Sequence, residues 1–128
     1  MKYSIHFIKR AKSRGFNPNS IVNLLPIFRR FGVWNEAGDR LLLDVDSKEF
    51  IAFYKNLKLS LNSIKHLIKH SKNSNMNFSN SMKDRYRYFK KIICNIGKIS
   101  HKKKITLVIS EETIISVFSL ENHYKRDR

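Results

Sequence analysis

The stretch KKITLVISEETIISVFSLENHY, residues 103–124, carries the clearest indication of the fold. Apolar and polar residues alternate on both sides of Glu111 and Glu112, which is the pattern of two β-strands joined by a tight turn. We expect this turn to place Ile109 opposite Ile114, Leu107 opposite Ser116 and Ile105 opposite Phe118. One face of the hairpin then has Ser116 as its only polar residue. Its apolar residues are Ile105, Leu107, Ile109, Ile114, Phe118 and Leu120. A hydroxyl buried there needs a partner in the nearby backbone or a role in a functional site.

A second hairpin is predicted upstream, in GVWNEAGDRLLLDVDS, residues 32–47. Strands on either side of a turn from Asn35 to Asp39 alternate in hydropathy, with Leu41, Leu43 and Val45 on one apolar face. The sequence therefore contains strand signals at two places that are far apart in the chain.

Helical periodicity accounts for most of the remaining chain. Residues 3–14 predict a first helix, with Phe7 and Ala11 on its apolar stripe. A second helix is capped by Asn17 or Asn19 and is ended or kinked by Pro26. Two longer helices are predicted at residues 50–70 and 81–96, and the Asn- and Ser-rich segment between them, 71–81, is expected to be a mobile loop. Helices and hairpins in a chain of 128 residues predict one α+β domain, residues 1–128.

The charge of the chain points to a polyanionic partner. Lys and Arg number 26 against 10 Asp and Glu, which gives a formal net charge of +16 and a pI near 10.2. Solubility alone calls for a net charge of about 2 to 8, so the surplus indicates nucleic acid, or less favourably an anionic membrane surface. No acidic residue precedes Glu36, and residues 51–110 hold fourteen Lys or Arg against the single acid Asp84. We therefore expect one strongly cationic face.

Hydropathy and cysteine content predict a cytoplasmic protein without a membrane span. No apolar run approaches the roughly 18 residues that a membrane helix requires. The single cysteine, Cys94, excludes an internal disulfide and suits a reducing compartment. Because it lies among Ile92, Ile93 and Ile96, we expect a buried structural thiol.

The N-terminal helix carries a histidine and two arginines at four-residue intervals, His6, Arg10 and Arg14, before Gly15. His6 and Arg10 lie one helical turn apart, whereas Arg14 is rotated about 80° around the helix from His6. Taken alone, such a row is more often a solvated basic face than a phosphate site.

Two segments together resemble a family of enzymes. HFIKRAKSRGF (6–16) and IISVF (114–118) are similar to small bacterial toxin ribonucleases of the superfamily that groups barnase, EndoU, colicin D and RelE. The resemblance implies N-terminal helices packed on an antiparallel β-sheet and RNA cleavage without a metal or other cofactor. It also implies a toxin of a toxin–antitoxin pair or the tip of a contact-dependent inhibition effector, and hence an acidic antitoxin or immunity protein as partner. The chain departs from the family in a basic helical insertion over residues 50–98.

The residue types in these segments suit metal-independent cleavage of RNA. Such a reaction needs groups that move protons to and from the ribose oxygens, and a cation on the phosphorane-like transition state. Histidine exchanges protons near neutral pH and arginine holds phosphate oxygens in a fork. The candidate catalytic residues are His6, Arg10, Ser116 and His123.

Further cations and aromatic residues are candidates for binding RNA, with tRNA as the expected substrate. Aromatic rings stack on unpaired bases while Lys and Arg contact the backbone. The candidates are Lys9, Arg14, Arg85, Arg87, Tyr88, Lys102, Lys103, Lys104 and Tyr124. In the segment KDRYRYFKK, Tyr86 and Phe89 are expected in the core, which leaves Tyr88 for stacking.

Two possible metal sites are the weaker interpretation. His66 and His70 have the i, i+4 spacing of zinc ligands, but Lys65 and Lys69 flank them and no third ligand is near in sequence. Asp44 and Asp46 share a strand face, where solvation beside a turn explains them better than Mg²⁺ does. We expect no metal.

Two other classes of function remain open from the sequence. The first is a non-catalytic RNA- or DNA-binding module in which the same cations only grip the backbone. The second is an interaction subunit that neutralises an acidic protein, which explains the charge but not His6 or Ser116.

Overall fold

The computed structural model describes residues 2–70 and 76–119, and within them the protein is a mixed α/β structure with five helices and a five-stranded sheet. The helices are α1 (Ile5–Ser13), α2 (Pro18–Asn23), α3 (Leu25–Phe31), α4 (Lys48–His70) and α5 (Met76–Ile99), which continues into a 3-10 turn, Ser100–Lys102. The strands are β1 (Lys2–Tyr3), β2 (Val33–Trp34), β3 (Arg40–Asp44), β4 (Lys104–Ser110) and β5 (Thr113–Ser119).

The sheet has the order β1-β5-β4-β3-β2 and is mixed. The pairs β2–β3, β3–β4 and β4–β5 are antiparallel, but β1 pairs with β5 in parallel, with Tyr3 beside Ile114. The expectation of a wholly antiparallel sheet was therefore wrong, as was the placement of Tyr3 in the first helix. A two-residue strand shows no periodicity, and it is stabilised by a partner far along the chain, so nothing in its own sequence reveals it.

The C-terminal hairpin contains the predicted turn but a different register. Glu111 and Glu112 both have positive φ, 49° and 62°, as a two-residue hairpin turn of the primed type requires, and Ile109 pairs with Ile114 as expected. A β-bulge follows, so that Leu107 pairs with Val117 and Ile105 with Ser119. The predicted pairs Leu107–Ser116 and Ile105–Phe118 were wrong.

The bulge reverses which side chains of β5 face the core. One extra residue on a strand shifts the alternation of all the residues after it. Val117 and Ser119 are buried against the helices, and alternation places Ser116 and Phe118 on the opposite face. The sheet face away from the core is called the outer face below.

The core lies between the inner face of the sheet and the helices. It joins Phe7 and Ala11 of α1, Phe28 of α3, and the buried residues of β3, β4 and β5 in one cluster. Ser4 caps helix α1: its hydroxyl accepts a bond from the Phe7 amide at 3.0 Å and so satisfies one of the first free N–H groups. Apolar burial on this scale fixes α1 and α3 against the strands.

Pro26 separates α2 from α3, as the sequence indicated. Asn17 caps α2 by accepting bonds from the amides of Asn19 and Ser20, at 3.0 and 3.3 Å. The helix ends at Asn23, and α3 starts at Leu25 with Pro26 in its first turn, where a missing N–H costs nothing.

Helices α4 and α5 lie between β3 and β4 in the chain and pack against each other. The prediction of a helix at 50–70 is confirmed by α4. The expected loop at 71–81 was wrong from Met76 onward, because α5 starts there; residues 71–75 lie outside the described residues. The low helix propensity of Asn and Ser is a weak preference that tertiary packing overrides. None of the helices in the described ranges is long and apolar enough to cross a membrane.

Cys94 is exposed, so the expectation of a buried thiol was wrong. Its neighbours Ile92 and Ile93 are half-buried and Ile96 is fully buried. On a helix these residues point in different directions, and the side of α5 that carries Cys94 does not face the core.

Candidate functional site

The C-terminal end of α1 is bonded directly to strand β5. A single guanidinium nitrogen of Arg14, Nη1, donates to Ser116 Oγ and to the carbonyl of Val117, both at 2.9 Å. At the other end of the helix, the Ser4 amide donates to the Ile114 carbonyl at 3.0 Å. Helix α1 is thus fixed along β5 at both ends, and two residues that the sequence separates by 102 positions are in contact.

Lys102 also contacts the C-terminal end of α1. Its ammonium group donates to the Arg14 carbonyl at 3.2 Å and lies 4.8 Å from the centre of the Phe16 ring, a cation–π distance. The chain can turn here because Gly15 adopts a φ of +77°, and a Cβ at Gly15 would approach the Lys102 ammonium to 2.8 Å. We call Arg14, Lys102 and Ser116 the α1–β5 seam.

The seam predicts unequal losses of stability when its two partners are replaced. Arg14→Ala should destabilise the fold by about 2 to 3 kcal/mol, because the buried Ser116 hydroxyl and the Val117 carbonyl lose their donor. Ser116→Ala should cost only about 1 kcal/mol, since the guanidinium keeps the carbonyl. Urea unfolding followed by circular dichroism measures both, with Lys9→Ala, exposed on the same helix, as the control. Equal losses for Arg14→Ala and Lys9→Ala would contradict the anchoring role.

The outer face of the sheet carries a hollow that the sequence did not suggest. The register aligns Val33, Leu42, Thr106 and Phe118 in one row across four strands. Together with Trp34, Arg40 and Lys104, this row lines a concavity of about 480 Å³, called the outer-face hollow below. None of its lining residues is acidic.

Aromatic and cationic groups meet in the outer-face hollow. Trp34 is 43% exposed, and the Arg40 guanidinium lies 5.8 Å from the centre of the Phe118 ring. Arg40 also lies in the row Arg40–Val108–Ser116, two strands from the seam, a separation of about 10 Å at the usual strand spacing. The hollow and Ser116 therefore lie on the same face of the sheet.

His6, Lys9 and Arg10 are all exposed on α1. His6 and Arg10 are one turn apart on adjoining positions of the helix surface. His6 and Arg14 are separated by eight residues, or about 12 Å along the axis. The predicted catalytic residues are thus separated: His6 and Arg10 form an exposed pair, whereas Ser116 is bonded to Arg14, which was predicted to bind RNA. His123 and Tyr124 lie outside the described residues.

The remaining RNA-binding candidates lie on α5 and at the start of β4. Arg85, Arg87 and Tyr88 are exposed on α5, Tyr88 at 59%. Arg87 pairs with Asp84 at 3.6 Å on the surface, where such pairs contribute little. Lys103, also exposed, occupies a turn with a φ of 63°, and Lys104 lines the outer-face hollow.

Trp34, Arg40 and Phe118 are the residues of this site that sequence reasoning missed. Phe118 was assigned to the core because the bulge was not foreseen. Trp34 pairs with the core residue Leu41, so the alternation of its strand gave no signal for a place in the hollow.

Comparison of the chain with protein-family models, curated proteins and solved structures found no match. Across residues 2–70 and 76–119 there is also no group of three or more His, Cys, Asp or Glu placed to hold a metal ion. The rings of His66 and His70 are tilted by 56° to each other, with their centres 4.1 Å apart.

Proposed function

We propose that the protein is an endoribonuclease that cleaves RNA by metal-independent general acid–base chemistry. The observation that carries the proposal is the exposed pair His6 and Arg10 on a helix fixed to β5 at both ends. Catalysis depends on groups held in position before the substrate arrives, and a helix bonded at both ends supplies such a support.

In the proposed reaction the ribose 2′-oxygen attacks the adjacent phosphorus while the bond from phosphorus to the 5′-oxygen breaks. His6 takes the 2′-hydroxyl proton, and a second group, assigned to His123, protonates the departing 5′-oxygen. Arg10 stabilises the charge on the phosphorane oxygens. Ser116 acts as a positioning residue through Arg14, and the products are a 2′,3′-cyclic phosphate and a 5′-hydroxyl.

The outer-face hollow supports RNA as the substrate. A base that is unpaired can stack on Trp34 or Phe118, while Arg40 and Lys104 contact phosphates beside it. Loops of a structured RNA such as tRNA present bases of this kind. We propose that α4 and α5 form a basic helical insertion in which α5 extends the contact with RNA. We also propose that an acidic antitoxin or immunity protein in the cytoplasm covers the cationic surface.

One observation favours a second candidate, a non-catalytic RNA- or DNA-binding module. Arg14 and Ser116 are bonded to each other, so both have a structural role that needs no reaction to explain it. In that case the hollow and the exposed cations bind nucleic acid and His6 belongs to a solvated surface.

Incubation of the purified chain with total RNA in EDTA distinguishes the two candidates. Discrete fragments ending in 2′,3′-cyclic phosphates are expected, and a His6→Ala preparation made in parallel controls for a contaminating ribonuclease. Cleavage that EDTA stops and Mg²⁺ restores would contradict the proposed chemistry. RNA that is retained intact would favour the binding module.

A further inference from the structure

Helices α2 and α5 form the two walls of a groove of about 540 Å³ outside the site described above. The α5 wall is cationic and the α2 wall presents side-chain amides. The groove is lined by Asn19 and Asn23 on α2 and by Arg87, Lys90, Lys91 and Lys98 on α5. No acidic side chain lines it, and we call it the α2–α5 groove.

The cations of the groove follow one side of α5. Arg87 and Lys91 are four residues apart and Lys98 is seven residues further, spacings that keep all three on one stripe of a helix. Arg87 and Lys98 are separated by about 16 Å along the axis, which corresponds to four or five phosphates at roughly 3.4 Å per nucleotide of a stacked strand. A row of this length and sign matches the charge of a nucleic-acid backbone.

The opposite wall offers hydrogen bonds without charge. The amides of Asn19 and Asn23 donate to phosphate and ribose oxygens equally well. Ser20, which is 1% exposed, also lines the groove, and its hydroxyl is the one buried side-chain polar atom in the described ranges with no hydrogen-bond partner. Buried hydroxyls are nearly always bonded, so this one marks an incomplete polar wall.

We propose that the α2–α5 groove binds the sugar–phosphate backbone of an RNA strand, an inference that rests on the proposed function as an RNA-acting protein. A cationic row facing neutral donors across a concave surface suits a flexible strand that enters the groove. An anionic membrane is a flat surface and cannot reach between the two helices. In this proposal Lys90, Lys91 and Lys98 contact the phosphates of the RNA strand.

Binding of a short fluorescent 2′-O-methyl oligouridylate tests the groove apart from catalysis. This probe lacks the free 2′-hydroxyl, so transesterification cannot cut it. The double variant Lys91→Gln/Lys98→Gln should bind with a log–log salt slope shallower by about 1.4, because two phosphate contacts are lost at roughly 0.7 each. The control Lys55→Gln/Lys69→Gln removes the same charge from exposed positions of α4 and should keep the wild-type slope.

Cys94 provides a second readout, because the only cysteine of the chain lines the groove and is exposed. The oligonucleotide should slow alkylation of Cys94 by iodoacetamide in the wild type and much less in Lys91→Gln/Lys98→Gln. This protection reports on occupancy of the groove rather than on affinity.

The outcomes distinguish failure of the proposed RNA function from failure of the groove as the binding site. If the wild type does not bind the oligonucleotide, the proposed RNA function fails. If it binds, but the two double variants behave alike and Cys94 stays reactive, only the groove assignment is overturned. Protection of Cys94 by phosphatidylserine vesicles but not by RNA would overturn it in favour of a membrane surface.

Discussion

His6→Ala should lower RNA cleavage by about 10² to 10⁴-fold, which is the usual contribution of a positioned proton-transfer group. Affinity for RNA should change little, because the proposed role of His6 is to transfer a proton and not to hold phosphate. His6 is exposed, so the free energy of unfolding should change by less than about 0.5 kcal/mol. Single-turnover cleavage of a defined RNA, together with its binding curve, measures both effects.

Two further variants serve as comparisons for His6→Ala: Arg10→Ala and His66→Ala. Arg10→Ala should damage cleavage and binding together, since its charge contacts phosphate in both the ground state and the transition state. His66→Ala, an exposed histidine on α4, should leave both unchanged. A folded His6→Ala variant with full activity would remove His6 from the reaction and make the row on α1 a solvated basic face.

Phe28→Ala should cost about 3 to 5 kcal/mol of folding free energy, the largest stability effect that we expect from one substitution. Phe28 is completely buried and belongs to the cluster that joins α3 to the sheet. For a domain of this size the loss corresponds to a fall in melting temperature of about 10 to 20 °C. Differential scanning calorimetry measures it directly.

Tyr88→Ala is the control, because it removes a ring of similar size from an exposed position of α5. Its cost should stay within about 0.5 kcal/mol. Similar losses for the two variants would mean that Phe28 does not lie in the core described here.

The sequence predicted those elements that are determined by patterns within their own segment of the chain. Alternating residues around Glu111 and Glu112 were enough to predict the C-terminal hairpin and its turn, and Pro26 was enough to predict the break between α2 and α3. Strand β1, the parallel pairing and the bulge after Ile114 depend on partners distant in the chain. Local patterns contain no information about such partners, so these features could not be foreseen.

In the candidate site, too, the residues could be picked out locally, but the contacts between distant residues could not be predicted. The sequence singled out both Arg14 and Ser116. It placed Ser116 on the core face, however, and it predicted that Arg14 binds RNA. The contact between them depends on the bulge, which turns Ser116 to the outer face. Trp34 and Arg40 were missed because their importance depends on the hollow that four strands line together, and that hollow exists only once the sheet is assembled.

The parallel pairing of β1 with β5 also sets a schedule for biosynthesis. Strand β1 can pair with β5 only after β5 has been synthesised, so Arg14 must wait for the synthesis of 102 further residues before Ser116 is available. At translation rates of about 5 to 20 residues per second, this wait lasts roughly 5 to 20 s. During that interval helix α1 has no strand to dock on, so a ribosome that stops before Ser116 releases a chain whose N-terminal segment cannot reach its final place.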